Sequence, residues 1–332
     1  MKSEHNIKRG VSFYSYQDEY CFQKLSLEDC IAVSSKMGIE GIEIIGDQMV
    51  RQSPTPPDDF FEKWHQWLAK YHVTPVCNDI YSNTTLFYNR VLTKKEATQE
   101  LIREISFAHK LGCKMLRMNA MTPANIILDC LPFAEKYDVA LALEIHAGSN
   151  IDKPYTAEFV EIMQKENSPL LGLVPDMGLF CKKFPQIIID YYTRIGLNPR
   201  FADLVQDVYS SGKDVRAYSD GIPDAVMNMN PGAIDVEFLK YASHFENNDL
   251  GLLREFMPYI KNIHAKFYEM TEDYIEPSIP YAEIIKLLID EKYDGYLCSE
   301  YEGNRFIPDD EEVQGVEQVR RQQVMMKKYL QL

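Results

Sequence analysis

MLRMN at Met115–Asn119, ILDCLPFAEKYD at Ile127–Asp138, ALALEIH at Ala140–His146, AEFVEIMQK at Ala157–Lys165 and LGLVPD at Leu171–Asp176 follow one another in a single stretch of chain. The first, third and fifth segments are short and mostly apolar. The second and fourth space their apolar residues three and four apart. A short continuous apolar run reads as a strand buried on both faces, and the wider spacing reads as an amphipathic helix. Strands covered on both faces are parallel strands flanked by helices, so this stretch is predicted as βαβαβ.

The same alternation continues in both directions. Further strands are expected at Gly10–Tyr14 (GVSFY), Gly41–Ile45 (GIEII), Thr74–Asn78 (TPVCN), Asn262–Phe267 (NIHAKF) and Gly295–Glu300 (GYLCSE). Helical patterns such as LEDCIAVSSKMG, DFFEKWHQWLAKYH, KKEATQELIREISFAHKLG, AEIIKLLIDEKYD and VEQVRRQQVMMKKYLQL separate or follow them. Gly38 and Gly112 stand where left-handed C-caps are needed before the next strand. Eight strands with intervening helices predict an α/β fold, a (β/α)8 TIM barrel, with residues 1–332 as one domain. A doubly wound open sheet would carry a glycine-rich first βα turn, which GVSFYSYQDEY does not supply.

One interval breaks the rhythm. More than eighty residues separate Asp176 from His264, whereas a crossover needs only about a dozen. Residues 181–250 are therefore expected to form an insertion. Because it follows a barrel strand at its carboxyl end, it is expected to lie over the carboxyl-end face, as a substrate lid or as a packing and assembly element. It contains helical pieces and a Gly/Pro-rich stretch around Gly221 to Gly232.

Composition narrows the partners. The formal net charge is −15 and no basic run exceeds two residues, which argues against nucleic acid and anionic membranes. No apolar stretch is long enough for a membrane span, and MKSEHNIKRG lacks a signal-peptide core, so a cytoplasmic location is expected. Seven cysteines without a C-x-x-C pair fit reduced, mostly buried thiols.

Four predicted strand ends carry metal-ligand types: Glu144, Asp176, His264 and Glu300. A buried carboxylate is costly unless paired or bound to a cation, so four such groups converging on a barrel mouth are best satisfied by one divalent metal. Any one of them alone is as well explained by a helix cap or a pairing with Arg. Three carboxylates and an imidazole favour Mn²⁺ or Mg²⁺ over a sulfur-rich structural zinc site. The strand period of two places His146 beside Glu144, Lys266 and Tyr268 beside His264, Glu302 beside Glu300, and Arg117 with Asn119 on the fourth strand. His146 is a candidate general base or a hydrogen-bonding residue behind the metal. Lys266 neutralises a developing oxyanion or pairs with a carboxylate. Arg117, Asn119 and Tyr268 are candidate substrate-binding residues.

On these residues, together with G-I-E-I at Gly41–Ile44, the chain resembles the xylose isomerase-like barrel superfamily over nearly its whole length. That group includes ketose 3-epimerases, inosose dehydratases, hydroxypyruvate isomerases and family 2 apurinic endonucleases. Within it, E-I-H-A-G at Glu144–Gly148, P-D-M-G at Pro175–Gly178, H-A-K-F at His264–Phe267 and the long insertion look most like the α subunits of bacterial C-glycoside deglycosidases. The resemblance implies one bound Mn²⁺, Mg²⁺ or Co²⁺, with Mn²⁺ preferred, and a metal-dependent lyase working with a small β subunit in a hetero-oligomer. It further implies that His146 removes the proton at C2 of a 3-oxo-C-glycoside, and that the aglycone leaves by β-elimination. Glu144, Glu300 and Lys266 join His146 as implied catalytic residues. The alternative is a sugar (ketose) 3-epimerase or isomerase on the same metal site, with Glu144 and Glu300 as proton shuttles. Met177-Gly178-Leu179 lacks the histidine often found after that aspartate in epimerases, which weighs against it. An apurinic endonuclease would need more strand-end histidines and a basic groove. A barrel acting only as a binding subunit would have no use for all four ligands, and no G-x-S-x-G signature supports a serine hydrolase.

Overall fold

The computed structural model describes residues 5–82, 86–211 and 224–331. Among them run eight parallel strands: β1 (Lys8–Ser12), β2 (Gly41–Ile45), β3 (Thr74–Asp79), β4 (Met115–Met118), β5 (Ala140–Ile145), β6 (Leu171–Pro175), β7 (Ile263–Phe267) and β8 (Tyr296–Tyr301). Their order is β6-β5-β4-β3-β2-β1-β8-β7, which bends the sheet into a barrel. All eight expected strands are present. The first lies two residues earlier than its sequence pattern placed it. Phe13–Tyr16 turn into a 3₁₀ helix instead, capped by the Ser12 hydroxyl, which accepts from the Tyr14 N–H at 3.4 Å.

The seam between β6 and β7 closes the barrel without a continuous ladder. Parallel bridges join Leu173 to Ile260 and Asp176 to His264, and the Lys261 N–H donates to the Leu173 carbonyl at 2.9 Å. Gly172 permits this approach, because a Cβ there would stand 2.5 Å from the Tyr259 carbonyl oxygen. The barrel is thus nearly closed rather than uniformly laddered.

Helices Leu27–Lys36, Asp58–Tyr71, Lys94–Leu111, Ile127–Tyr137, Pro154–Glu166, Tyr281–Asp290 and Gly315–Tyr329 surround the strands. Capping boxes start two of them, pairing Ser26 with Asp29 and Thr93 with Glu96. Gly38 and Gly112 adopt the left-handed conformation at the ends of their helices, with φ of 70° and 82°. Leu, Ile, Val and Phe side chains from strands and helices form one continuous core between the two layers. Cys77, Met115, Ala142 and Val174 make a second, smaller cluster on alternate strand positions. Two residues further on, three of these strands carry Asp79, Arg117 and Glu144, all buried. The barrel interior therefore changes from apolar to charged toward its carboxyl end.

The segment between β6 and β7 holds helices Gln186–Arg194, Pro199–Ser210 and Ala233–Ala242. Much of the Gly/Pro-rich stretch expected there, residues 212–223, lies outside the described residues. Phe184 packs on Phe238 and Phe245 at ring separations of 5.5 and 4.8 Å. Phe245 in turn meets Tyr268 at 5.6 Å, and Tyr241 meets Phe306 at 5.9 Å. This aromatic cluster packs on residues that follow the carboxyl ends of β7 and β8. All seven cysteines are free thiols, and only Cys21 is exposed. Among the described residues no helix is long and apolar enough to cross a membrane.

Candidate metal centre

Glu144 and Glu300 lie next to last in β5 and β8, whereas His264, expected at a strand end, is the second residue of β7; one ligand atom from each lies within 4.8 Å of the other two. His264 Nδ1 is 2.7 Å from Glu144 Oε1 and 3.3 Å from Glu300 Oε2. Asp176, directly after β6, is held beside His264 by the bridge that closes the barrel. Its Oδ1 accepts from the Gly178 N–H at 2.6 Å, and its Oδ2 lies against the Lys266 ammonium. Lys266 also reaches Glu302 at 3.0 Å and Glu300 at 3.7 Å. It sits among three carboxylates.

The opposite edge of the His264 ring faces Glu43, with Nε2 3.2 Å from Oε2. The Asn262 side-chain amide donates to the other Glu43 oxygen. Asp79 accepts from the Ser12 hydroxyl at 3.1 Å and lies 3.6 Å from Arg117 Nε. Arg117 reaches on to Glu144 at 3.7 Å and stacks over the Tyr81 ring at 5.1 Å.

Glu43, Asp79, Glu144, Asp176 and Glu300 are all buried, against Arg117, Lys266 and the imidazole of His264. Negative charge is in excess. Glu300 Oε2 is buried and accepts no hydrogen bond, and Asp176 Oδ2 has only ionic contact with Lys266. These oxygens, Glu144 Oε1 and the His264 Nδ1 edge form an oxygen-rich donor set that fits a hard or borderline divalent cation. Glu43 is placed to orient the imidazole from behind, as groups behind metal-bound histidines do.

The electrostatics agree with that fit. Burial works against the Glu144 carboxylate, but the charges of Arg117 and His264 outweigh it and hold the group well below the usual carboxylate range. Burial likewise opposes ionisation of Glu300, yet His264 and Lys266 bring it down to about 2. Asp176 is pushed up to about 6 by burial, which Lys266 only partly offsets. Burial disfavours a charged His264, but Glu300, Glu43 and Glu144 raise its pKa well above the ordinary value. The pocket favours positive charge at its centre.

His146 follows β5 and is half-buried. Its Nδ1 lies 2.7 Å from the Ala147 carbonyl oxygen, which only accepts, so the tautomer of the neutral ring has its hydrogen on Nδ1 and the lone pair on Nε2. The remaining candidates are less alike in their surroundings. Arg117 is 1% exposed and enclosed between Asp79 and Glu144. Asn119 is half-buried just beyond β4, its side-chain oxygen accepting from the Met121 N–H at 3.3 Å. Tyr268 is buried against Phe245. Glu43 and Asp79 were not singled out from the sequence as parts of the centre. Glu43 carries a usable signal, an acid on an otherwise apolar strand, whereas Asp79 lies one residue beyond the expected end of the third strand at Asn78.

The family pattern described as Xylose isomerase-like TIM barrel matches residues 31–328. The 3'-dehydrocarminate deglycosidase alpha subunit of a Microbacterium species is 27% identical over 89% of this chain and 88% of its own length. A C-glycoside deglycosidase alpha subunit of Arthrobacter globiformis is 26% identical over 89% and 84%. Among solved structures, D-psicose 3-epimerase of Clostridium cellulolyticum superposes with a TM-score of 0.60 at 12% identity, covering 98% of this chain and 99% of that one. The structure of L-ribulose 3-epimerase gives 0.60 and 12%, covering 98% and 95%. At that identity the two epimerases speak for the fold alone. The family pattern extends from before β2 through most of the last helix, on a parallel barrel with its acidic cluster at the strand ends; the chain belongs to the xylose isomerase-like TIM barrel family.

Proposed function

We propose that this protein is the α subunit of a metal-dependent carbon–carbon lyase that releases the aglycone from 3-oxo-C-glycosides. The observation that carries this reading is the Glu144–His264–Glu300 cluster, with His146 two residues beyond Glu144, in a chain whose curated relatives over nearly nine-tenths of its length are deglycosidase α subunits. Glu144, Asp176, His264 and Glu300 are the residues to hold the cation, with Mn²⁺ preferred. When bound, such an ion would polarise a carbonyl oxygen and orient adjacent sugar oxygens.

His146 is assigned the proton transfer. Its bare Nε2 takes the C2 proton, which the neighbouring C3 ketone acidifies. The C2–H electron pair forms the C1–C2 double bond as the bond from C1 to the aglycone carbon breaks. The departing carbon takes up a proton, leaving a free aglycone and an unsaturated keto sugar. Lys266 lies where it offsets negative charge near Asp176 and Glu300. Asn119 and Tyr268 are assigned to sugar hydroxyls, and Arg117 acts on the site through Glu144. A small β subunit is proposed as the partner, since the relatives carry the name of α subunits.

The test is chromatographic assay of a 3-oxo-C-glucosyl flavonoid with the metal-loaded chain, alone and with a candidate β subunit. Aglycone release is expected, falling by roughly 10² to 10⁴ in His146→Ala while bound metal persists. Glu144→Ala should lose both metal and activity. Interconversion of free ketoses without aglycone release would replace the lyase with a 3-epimerase, the second reading that the Glu144 and Glu300 pair supports.

A further inference from the structure

The segment returning from the insertion to β7 carries a buried carboxylate outside the metal centre. Glu246 is 2% exposed. Its Oε1 accepts from the Gly148 N–H at 3.3 Å. Its Oε2 accepts from the side-chain amides of Asn150 at 2.6 Å and Asn248 at 2.7 Å. Asn248 also accepts from Asn150 at 3.2 Å, and both its backbone and side-chain N–H groups reach the Leu179 carbonyl, at 2.9 and 3.0 Å. Leu179 ends the turn that begins at Asp176. The return segment therefore ties together the loop after β5 and the turn after β6.

The loop after β5 is the one that begins with His146. It folds back at once, with the Ser149 N–H donating to the His146 carbonyl at 2.8 Å and Gly148 at a φ of 84°. The Gly148 N–H, at the apex of this turn, is met by the insertion's carboxylate. A buried carboxylate accepts several N–H donors at once, whereas a glutamine of the same shape must turn its own NH₂ group toward one of them.

We propose that Glu246 is a positioning residue: through Gly148 and Asn150 it fixes the His146 turn, so that the insertion sets the direction in which the His146 ring meets substrate. This rests on the reading of His146 as the base.

The experiment compares Glu246→Gln with the wild-type metal-loaded protein by two readouts. Hydrogen exchange of peptides spanning 146–151 is expected to show protection lost by about tenfold or more, because the glutamine oxygen stays with the Asn150 and Asn248 amides and its NH₂ group is turned toward the Gly148 N–H. Steady-state assay with a 3-oxo-C-glucoside, with the β subunit present where activity needs it, is expected to show kcat down by about tenfold to a hundredfold, with KM and metal content within about twofold. Unchanged protection overturns the proposal, as does loss of metal in step with kcat, which marks a merely structural role. If the wild-type protein releases no aglycone, the lyase reading falls, and exchange alone decides the clamp by the same criterion. If Glu246→Gln does not fold, Gly148→Ala takes its place. That position is exposed and a Cβ there meets nothing within 4 Å, but its φ disfavours alanine. The same fall in kcat is expected, and wild-type kcat would overturn the proposal.

Discussion

Each side of the His264 ring has its own partner, Glu144 and Glu300 at Nδ1 and Glu43 at Nε2. A carboxylate behind a metal-bound imidazole fixes its tautomer and raises its basicity, and losing one typically costs about 10- to 100-fold in metal affinity. Glu43→Gln is therefore expected to weaken Mn²⁺ binding by about that factor, measured by titration calorimetry, without unfolding the chain. Wild-type affinity would show that Glu43 only fills space. At this scale the sequence exposed what interrupted an apolar run. Glu144 and Glu300 stood out because each is an acid near the end of an apolar strand, and His264 because it is a histidine within one, the second residue of β7. Glu246 could not, since its partners Gly148 and Asn150 lie about a hundred positions away and no local pattern links them.

At the scale of elements, the strands were legible because burial on both faces leaves continuous apolar runs, and β2 kept the limits its sequence pattern set. The end of β1 was not, since Phe13 and Tyr14 are as apolar as a strand requires and only the Ser12 cap turns the chain there. The β6–β7 seam was equally hidden, because nothing in LGLVPD reveals the Tyr259 carbonyl that crowds Gly172. Gly172→Ala should cost about 1–3 kcal/mol, read as a lower urea midpoint at unchanged slope. A loss under about 0.5 kcal/mol would mean the seam is looser than described. The loop after β7 offers a test by pH. Burial pushes the Glu276 carboxyl up to about 8 from its ordinary 4.5, against backbone N–H donors at Ser278 and Ile279. A raised folded value means that the native state holds the proton more tightly. This contribution to stability is complete below about pH 4.5 and disappears as pH rises through about 8. Glu276→Gln keeps an acceptor and removes the titration, so its urea midpoint should fall less than wild type between about pH 5.5 and 8.5. Parallel curves for the two proteins would contradict this.

For the molecule as a whole, the fold gathers buried acids at one end of a chain whose net charge is already −15, and a bound cation relieves that concentration. Binding to the native state alone stabilises it by about 2.7 kcal/mol when free metal is about 100-fold above Kd, so chelation should lower Tm by several degrees. The insertion's place in the chain was legible from the length between Asp176 and His264, but its aromatic cluster and its hold on the His146 turn are matters of tertiary contact. The central claim is that Glu144, Asp176, His264 and Glu300 hold one divalent cation. Elemental analysis of the purified chain, beside His264→Ala purified in the same way, tests it most directly. About one ion per wild-type chain and none in the variant is the predicted result. A metal-free wild-type chain whose Tm does not move on adding Mn²⁺ would contradict it.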